Sequence, residues 1–205
     1  MTNDQTSSSN ILFTGASSKL GSRVARDLVD ATGGPIVWCG THRSSIGVQH
    51  QRIKTLPLDL KDPIDLSPIA GPIDLTVHFA GETHALAAET YEAVNHLGTT
   101  RLAEAVQERG CRNFVYISTR CIGPDSGAYG CSKQAAENSL RDMQWECLLI
   151  LRPSEIYGIG GTEGIDRFIN MGKNLHIVPL LFGSKGIRFS PMHFEDFLKA
   201  CRKSL

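Results

Sequence analysis

A chain of 205 residues, 41% of them hydrophobic, has the length of one domain with a well-buried core. Lysine and arginine number 21 and aspartate and glutamate number 21, so no net field recommends nucleic acid or an anionic membrane as a partner, and whatever binds is recognised locally. The six cysteines form no C-x-x-C pair and the seven histidines show no H-x-x-x-H spacing, which argues for reduced packing thiols, Cys39 and Cys147 in apolar runs among them, and against a bound metal.

Residues 1–10 are polar and serine-rich, and no stretch approaches the ~18 consecutive apolar residues of a membrane span, so a soluble, cytoplasmic protein is expected. Residues 10–14 read as a short apolar strand that runs into Gly15-Ala16-Ser17-Ser18-Lys19-Leu20-Gly21. Leu20, Val24, Leu28 and Ala31 then recur at helical spacing until Gly33-Gly34. Strand, glycine turn and helix in this order place unpaired N–H groups and a positive dipole end where a pyrophosphate could sit, although an ordinary strand-to-helix turn has the same outline. The fingerprint is incomplete, because Ser18 stands where a middle glycine is required.

Residues 35–39 predict a second buried strand, followed by Gly40-Thr41-His42-Arg43-Ser44-Ser45. In a dinucleotide-binding fold, this strand end meets the adenosine ribose. A carboxylate there suits a free 2′-hydroxyl and an arginine suits a 2′-phosphate. No carboxylate follows the strand and Arg43 does, which favours NADP(H) over NAD(H), the alternative being a solvated turn. Residues 53–58 give a third strand entering Asp59-Leu60, and 64–71 a proline-interrupted connection of no readable form. A fourth strand at 74–79 ends on Ala80-Gly81, whose small side chains let a flat ligand approach the backbone. Residues 91–109 predict one long helix, mildly interrupted at Gly98, and 113–118 a fifth strand delivering Ser118-Thr119.

A helix over 127–143 carries Tyr129 and Lys133, four residues apart and so on one face. A fixed ammonium beside a phenol favours phenolate and moves its pKa from ~10 toward a catalytically useful range, yet such pairs also arise by chance on many helices. A sixth strand follows at 145–151. Beyond Pro153 come a loop at 157–161, a helix over 163–171, short extended pieces over 176–191, and a last helix over 194–203 opened by Glu195 and Asp196. The alternation predicts an α/β, doubly wound parallel sheet with helices on both faces and ligands at the carboxyl ends of its strands. Gly15, Arg43, Ala80, Thr119 and the Tyr129 helix gather on that edge.

Taken together, Thr14 to Gly21, Asp59-Leu60, His78-Phe79-Ala80-Gly81, Asn95 with Gly98-Thr99, Tyr116-Ile117-Ser118-Thr119, Tyr129-x-x-x-Lys133, Leu151-Arg152-Pro153, Tyr157-Gly158 and His193-Phe194-Glu195-Asp196 give the chain a family likeness. It resembles the extended branch of the short-chain dehydrogenase/reductases, the NAD(P)-dependent nucleotide-sugar epimerases, dehydratases and reductases, over residues 10–197. The resemblance implies a Rossmann fold in a single domain, with residues 153–192 as a small, reduced substrate lobe. It implies Tyr129 as acid/base, Lys133 lowering the tyrosine pKa and bonding the nicotinamide ribose, Thr119 orienting the reacting oxygen, and Asn95 supporting the site. The implied cofactor-binding set is Gly15, Ser17, Ser18, Lys19, Leu20 and Gly21, then His42, Arg43, Asp59 and Leu60, then Phe79, Ala80 and Gly81, with Tyr129, Lys133 and Pro153. Relatives also form dimer surfaces from the helices that correspond to those near Tyr91 and Gly127.

The segment between Thr119 and Tyr129 is shorter than such relatives carry, and little chain follows Asp196. The substrate is therefore open. A nucleotide-activated sugar is the first expectation, a small carbonyl compound reduced by NADPH the second, and dinucleotide binding without catalysis the third. His78 and Cys131 read as packing residues, Arg188 as a surface residue or a contact to a substrate phosphate, and His193 with Asp196 as the shapers of the last helix.

Overall fold

The computed structural model describes residues 9–30, 34–123, 125–160, 164–176 and 190–204, and the chain divides after Leu151 into two compact units. In the first, β1 (Asn10–Thr14), β2 (Ile36–Thr41), β3 (Ile53–Pro57), β4 (Leu75–His78), β5 (Asn113–Ile117) and β6 (Cys147–Leu151) form one sheet. Its order is β3-β2-β1-β4-β5-β6 with every pairing parallel, the doubly wound arrangement that the alternation of elements predicts. Every residue of β1 is buried, as expected of a central strand covered on both faces. At its foot, Asn10 is fully engaged: its side chain donates to the carbonyls of Ala70 and Pro72 and accepts from the Trp38 indole.

Helix α1 (Lys19–Asp30) lies between β1 and β2 in the chain, and its buried residues are Gly21, Val24, Ala25 and Val29. The helix is thus turned by about one residue from the face that Leu20, Val24, Leu28 and Ala31 predict. The cause is Gly21: a Cβ there would strike the Gly15 carbonyl, so Gly21 must face the turn it follows, and the helix rotates with it.

The connection 58–74 holds neither helix nor strand, yet Leu66, Ile69 and Ile73 are buried. Arg109 replaces the missing backbone pairing, donating to the carbonyls of Leu66, Ile69 and Gly71 at 2.6, 2.6 and 3.0 Å.

The single helix expected over 91–109 is instead three pieces: α2 (Ala88–Tyr91), a π-helical stretch (Glu92–Leu97) and α3 (Gly98–Glu108). The wider register displaces backbone bonds, and the hydroxyls of Thr99 and Thr100 donate to the carbonyls of Asn95 and His96 four residues back. Gly98 marks the end of the stretch for a steric reason, since a Cβ would lie 2.7 Å from Leu60 Cβ. Two motifs remote in sequence, Asp59-Leu60 and Gly98-Thr99, therefore meet. Helix α4 (Gly127–Asp142) buries Gly130, Ser132, Lys133, Ala136, Glu137 and Leu140. Of the two cysteines expected in the core, Cys39 is buried, its thiol pushed up to about 12 by desolvation, whereas Cys147 is exposed at the start of the edge strand β6.

In the second unit, β7 (Ile156–Tyr157) pairs in parallel with β8 (Met192–His193), beside α5 (Gly164–Leu175) and α6 (Phe194–Ser204). Phe194, Phe197, Leu198 and Cys201 bury one stripe of α6, and Glu195 N–H donates to His193 Nδ1 at its start. Most of the expected extended pieces over 176–191, and Arg188 with them, lie outside the described residues.

Candidate active site

The sheet winds outward from β1 in one direction and from β4 in the other, so the chain ends of these two strands diverge and leave a crevice. It measures about 220 Å³. Gly15 and Ser17 of the glycine turn line it, as do His42, Arg43, Asp59, Leu60, Ala80 and Gly81.

Gly15 has φ +83°, and a Cβ on it would stand 2.7 Å from Ala80 N and 2.8 Å from Phe79 C. The position therefore needs glycine twice, for its backbone angle and for the close approach of the two strand ends. Phe79 packs beneath, stacked on Phe13 at 5.1 Å. Ser18, in place of the expected middle glycine, caps α1: its hydroxyl accepts from Gly21 N–H and donates to the Gly15 carbonyl, both at 2.9 Å. Lys19 and Leu20 are the next two residues, in the first turn of α1.

At the end of the crevice formed by the residues after β2 and β3, Arg43 is exposed on the wall, and His42 Nε2 lies 2.9 Å from Asp59 Oδ2. A carboxylate is thus present at this edge, supplied from beyond β3 and paired with the histidine that follows β2. Neither residue's neighbourhood in sequence announces the pairing.

Thr119, Tyr129 and Lys133 are not among the residues that line this crevice, and Lys133 approaches it at Gly81. Tyr129 is partly buried, and its ring meets the Tyr91 ring edge-on at 5.9 Å. Desolvation raises its pKa above the usual tyrosine value, a hydrogen bond with Thr119 pulls the other way, and the Cys121 and Tyr91 side chains add to the rise. Lys133 is anchored on β5. Its Nζ donates to the Ile117 carbonyl at 2.7 Å and sits 4.2 Å from the centre of the Tyr116 ring. Desolvation is the largest influence on Tyr129, and the phenol is held protonated. Burial takes the Lys133 ammonium down to about 7, with Glu137 acting in the other direction.

Glu137, which sequence reading did not single out, is fully buried. It accepts from Ser118 Oγ at 2.6 Å and from Arg141 at 2.7 Å. It lies one turn beyond Lys133 on the same face of α4, a spacing available in the sequence but indistinguishable there from a surface pair. Asn95 is 1% exposed, with its Oδ1 accepting from Glu82 N–H at 2.7 Å and its Nδ2 donating to the Glu82 carbonyl and to Ser132 Oγ. A Cβ on Gly81 would fall 3.0 Å from Asn95 Oδ1 and 3.8 Å from Lys133 Nζ. Gly81 thus joins the crevice to Asn95 and Lys133. Pro153, the remaining expected contact, belongs to the second unit.

The residues present fit a dinucleotide: a glycine turn that no side chain can fill, a helix N-terminus beyond it, and a cation, a histidine and a carboxylate where an adenosine would end. The model of the NAD dependent epimerase/dehydratase family matches residues 11–205. The chain belongs to this family. Among solved epimerase/dehydratase structures, UDP-glucuronic acid 4-epimerase from Bacillus cereus, in complex with NAD, superposes with a TM-score of 0.79 at 19% identity, covering 95% of this chain and 72% of that one. DesIV, a dTDP-glucose 4,6-dehydratase from Streptomyces venezuelae with NAD bound, gives 0.75 at 21%, covering 94% and 70%. In sequence, the chain is 28% identical over 186 residues to a ceramide reductase of Caulobacter vibrioides, which covers 91% of this chain and 57% of that protein. The chain thus spans little more than half the length of this curated relative.

Proposed function

We propose that this epimerase/dehydratase family member is an NADP(H)-dependent oxidoreductase or epimerase acting on a nucleotide-activated sugar. The observation that carries the reading is the junction of Gly81, Asn95 and Lys133 between the crevice and the Thr119–Tyr129 pair. When bound, the nicotinamide supplies or accepts a hydride. The chain's own residues manage the proton: Tyr129 Oη, held protonated by burial, gives it to a substrate carbonyl oxygen or receives it back from the hydroxyl formed. Thr119, hydrogen-bonded to the phenol, fixes its direction. Lys133 keeps a donor at the end of β5 in either protonation state, and Asn95 holds the turn after β4. Ser17 to Gly21 would take the pyrophosphate, and Asp59 with Leu60 would border the adenine.

Arg43 on the crevice wall supports NADP(H), because a guanidinium pairs a phosphate through two parallel bonds. The neighbours solved with NAD and the Asp59 carboxylate are the opposing observations. A second reading, reduction of a free carbonyl compound, is favoured by the ceramide reductase likeness and by the protonated state of Tyr129. For the helix from Tyr91 and α4, a homodimer contact is also proposed, Leu97 standing 45% exposed there.

Product analysis of panels of nucleotide sugars and of ketones incubated with NADPH or NADP⁺ tests the reading, with Tyr129→Phe as control. Sugar turnover supports the first reading and ketone turnover the second. No turnover on either panel, by a protein that binds the nucleotide, would sink both.

A further inference from the structure

The register of the sheet sets Thr14 directly opposite His78, and a chain of hydrogen bonds whose polarity can be worked out link by link passes through the pair. Thr99 Oγ1 lies 2.6 Å from the Asn95 carbonyl, which can only accept, so the hydroxyl proton goes there. Thr99 must then accept from His78 Nε2, at 2.9 Å. With Nε2 protonated, Nδ1 of the neutral ring is an acceptor, and Thr14 Oγ1 donates to it at 2.5 Å. The Thr14 oxygen in turn accepts from Ala80 N–H at 3.2 Å. His78 is wholly buried, and desolvation with the nearby Lys133 charge takes its pKa down to about 3, consistent with one neutral tautomer. The chain starts at Ala80 and finishes at Asn95, whose amide clasps both backbone groups of Glu82. The turn 80–82 is therefore gripped at its two ends by one continuous circuit.

We propose that His78 is a positioning residue for the dinucleotide, the one-way chain Ala80, Thr14, His78, Thr99, Asn95 fixing the 80–82 turn that walls the crevice. This role rests on the dinucleotide reading of the crevice. It assigns to a histidine that looks like packing, and to two threonines, a task no motif announces.

The test compares Thr99→Ser, which keeps the hydroxyl and loses a methyl, with Thr99→Val, which keeps the shape and loses the hydroxyl. Both are titrated with NADPH and NADH, with Val106→Ala as a destabilised core control. The expected result is affinity within about twofold of wild type for Thr99→Ser and at least about tenfold weaker for Thr99→Val, the size of one buried hydrogen bond. Val106→Ala should lose melting temperature without losing affinity. In the nucleotide-free wild type, ¹⁵N shifts of the His78 ring should show Nε2 protonated and Nδ1 bare between pH 5 and 8, as expected when the pKa lies far below this range. Exchange of the Glu82 amide should quicken in Thr99→Val. Equal affinities for the two Thr99 variants, a protonated Nδ1, or unchanged Glu82 exchange would overturn the proposal. A wild type that binds neither nucleotide would instead overturn the dinucleotide reading, and the ring shifts and amide exchange would still decide the hydrogen-bond chain.

Discussion

Replacing Lys133 by methionine should separate stability from function. Lys133 is 4% exposed, and its pKa falls from 10.5 to about 7, a shift whose free-energy equivalent is at most about 5 kcal/mol. The sign follows from proton counting. Between pH 7 and 10.5 the unfolded chain keeps the lysine proton while the folded chain has released it, so the unfolded state binds more protons and stability rises with pH. Below pH 7 the ammonium is charged in both states, and the folded protein carries the full cost of burying it, offset in part by the Ile117 carbonyl and the Tyr116 ring. Methionine has a similar volume and no charge. Lys133→Met should therefore be as stable as wild type or more stable at pH 6, with the advantage shrinking by up to a few kcal/mol as pH approaches 10. Urea unfolding of both proteins across pH 6 to 10 measures this difference, and taking the difference cancels the titration of tyrosines and cysteines common to both. A gap that stays constant with pH, or a methionine variant several kcal/mol less stable at pH 6, would refute the argument that burial depresses this lysine.

Tyr129→Phe should fold and bind nucleotide as wild type does while losing roughly 10²- to 10⁴-fold in kcat, measured by product formation on whichever substrate is turned over. Gly15→Ala places a methyl against the Phe79–Ala80 backbone at a positive φ; nucleotide binding should be abolished and the melting temperature lowered, by calorimetry and fluorescence. His78 should make the protein acid-labile: its folded pKa near 3 lies below the unfolded 6.5, so stability present above pH 6.5 is lost as pH falls toward 3. The difference in urea midpoint between wild type and His78→Gln reads the effect, and it should change over that range in the sense of wild type losing stability as pH falls. Light scattering should give twice the 22.3 kDa chain mass if the α4 surface pairs two copies.

The sheet was legible because its strands are short apolar runs bounded by glycine and polar turns, and parallel strands buried on both faces carry little else. Gly15, Ala80 and the Tyr129 helix reached the same edge in sequence and in structure for that reason. What stayed hidden depends on register and rotation. That Thr14 faces His78 across β1 and β4, or that Gly21 turns α1 by a residue, follows from backbone contacts between segments far apart in the chain. The π-helical stretch has no compositional mark, because its displaced carbonyls are satisfied by threonines that a regular helix also tolerates. Helical spacing sets Tyr129 and Lys133 on one face, but it cannot show the Ile117 carbonyl and the Tyr116 ring, both from β5, that engage the ammonium.

On the proposed reading, the crevice after β1 and β4 holds a nicotinamide dinucleotide, with Arg43 at its 2′-phosphate. Its most direct measurement is a fluorescence titration of wild type and Arg43→Ala with NADPH and NADH. Wild type should bind NADPH more tightly than NADH, and Arg43→Ala should weaken NADPH by about tenfold or more while leaving NADH unchanged, as loss of a charge-assisted phosphate contact requires. Binding of neither nucleotide by the wild type would contradict it.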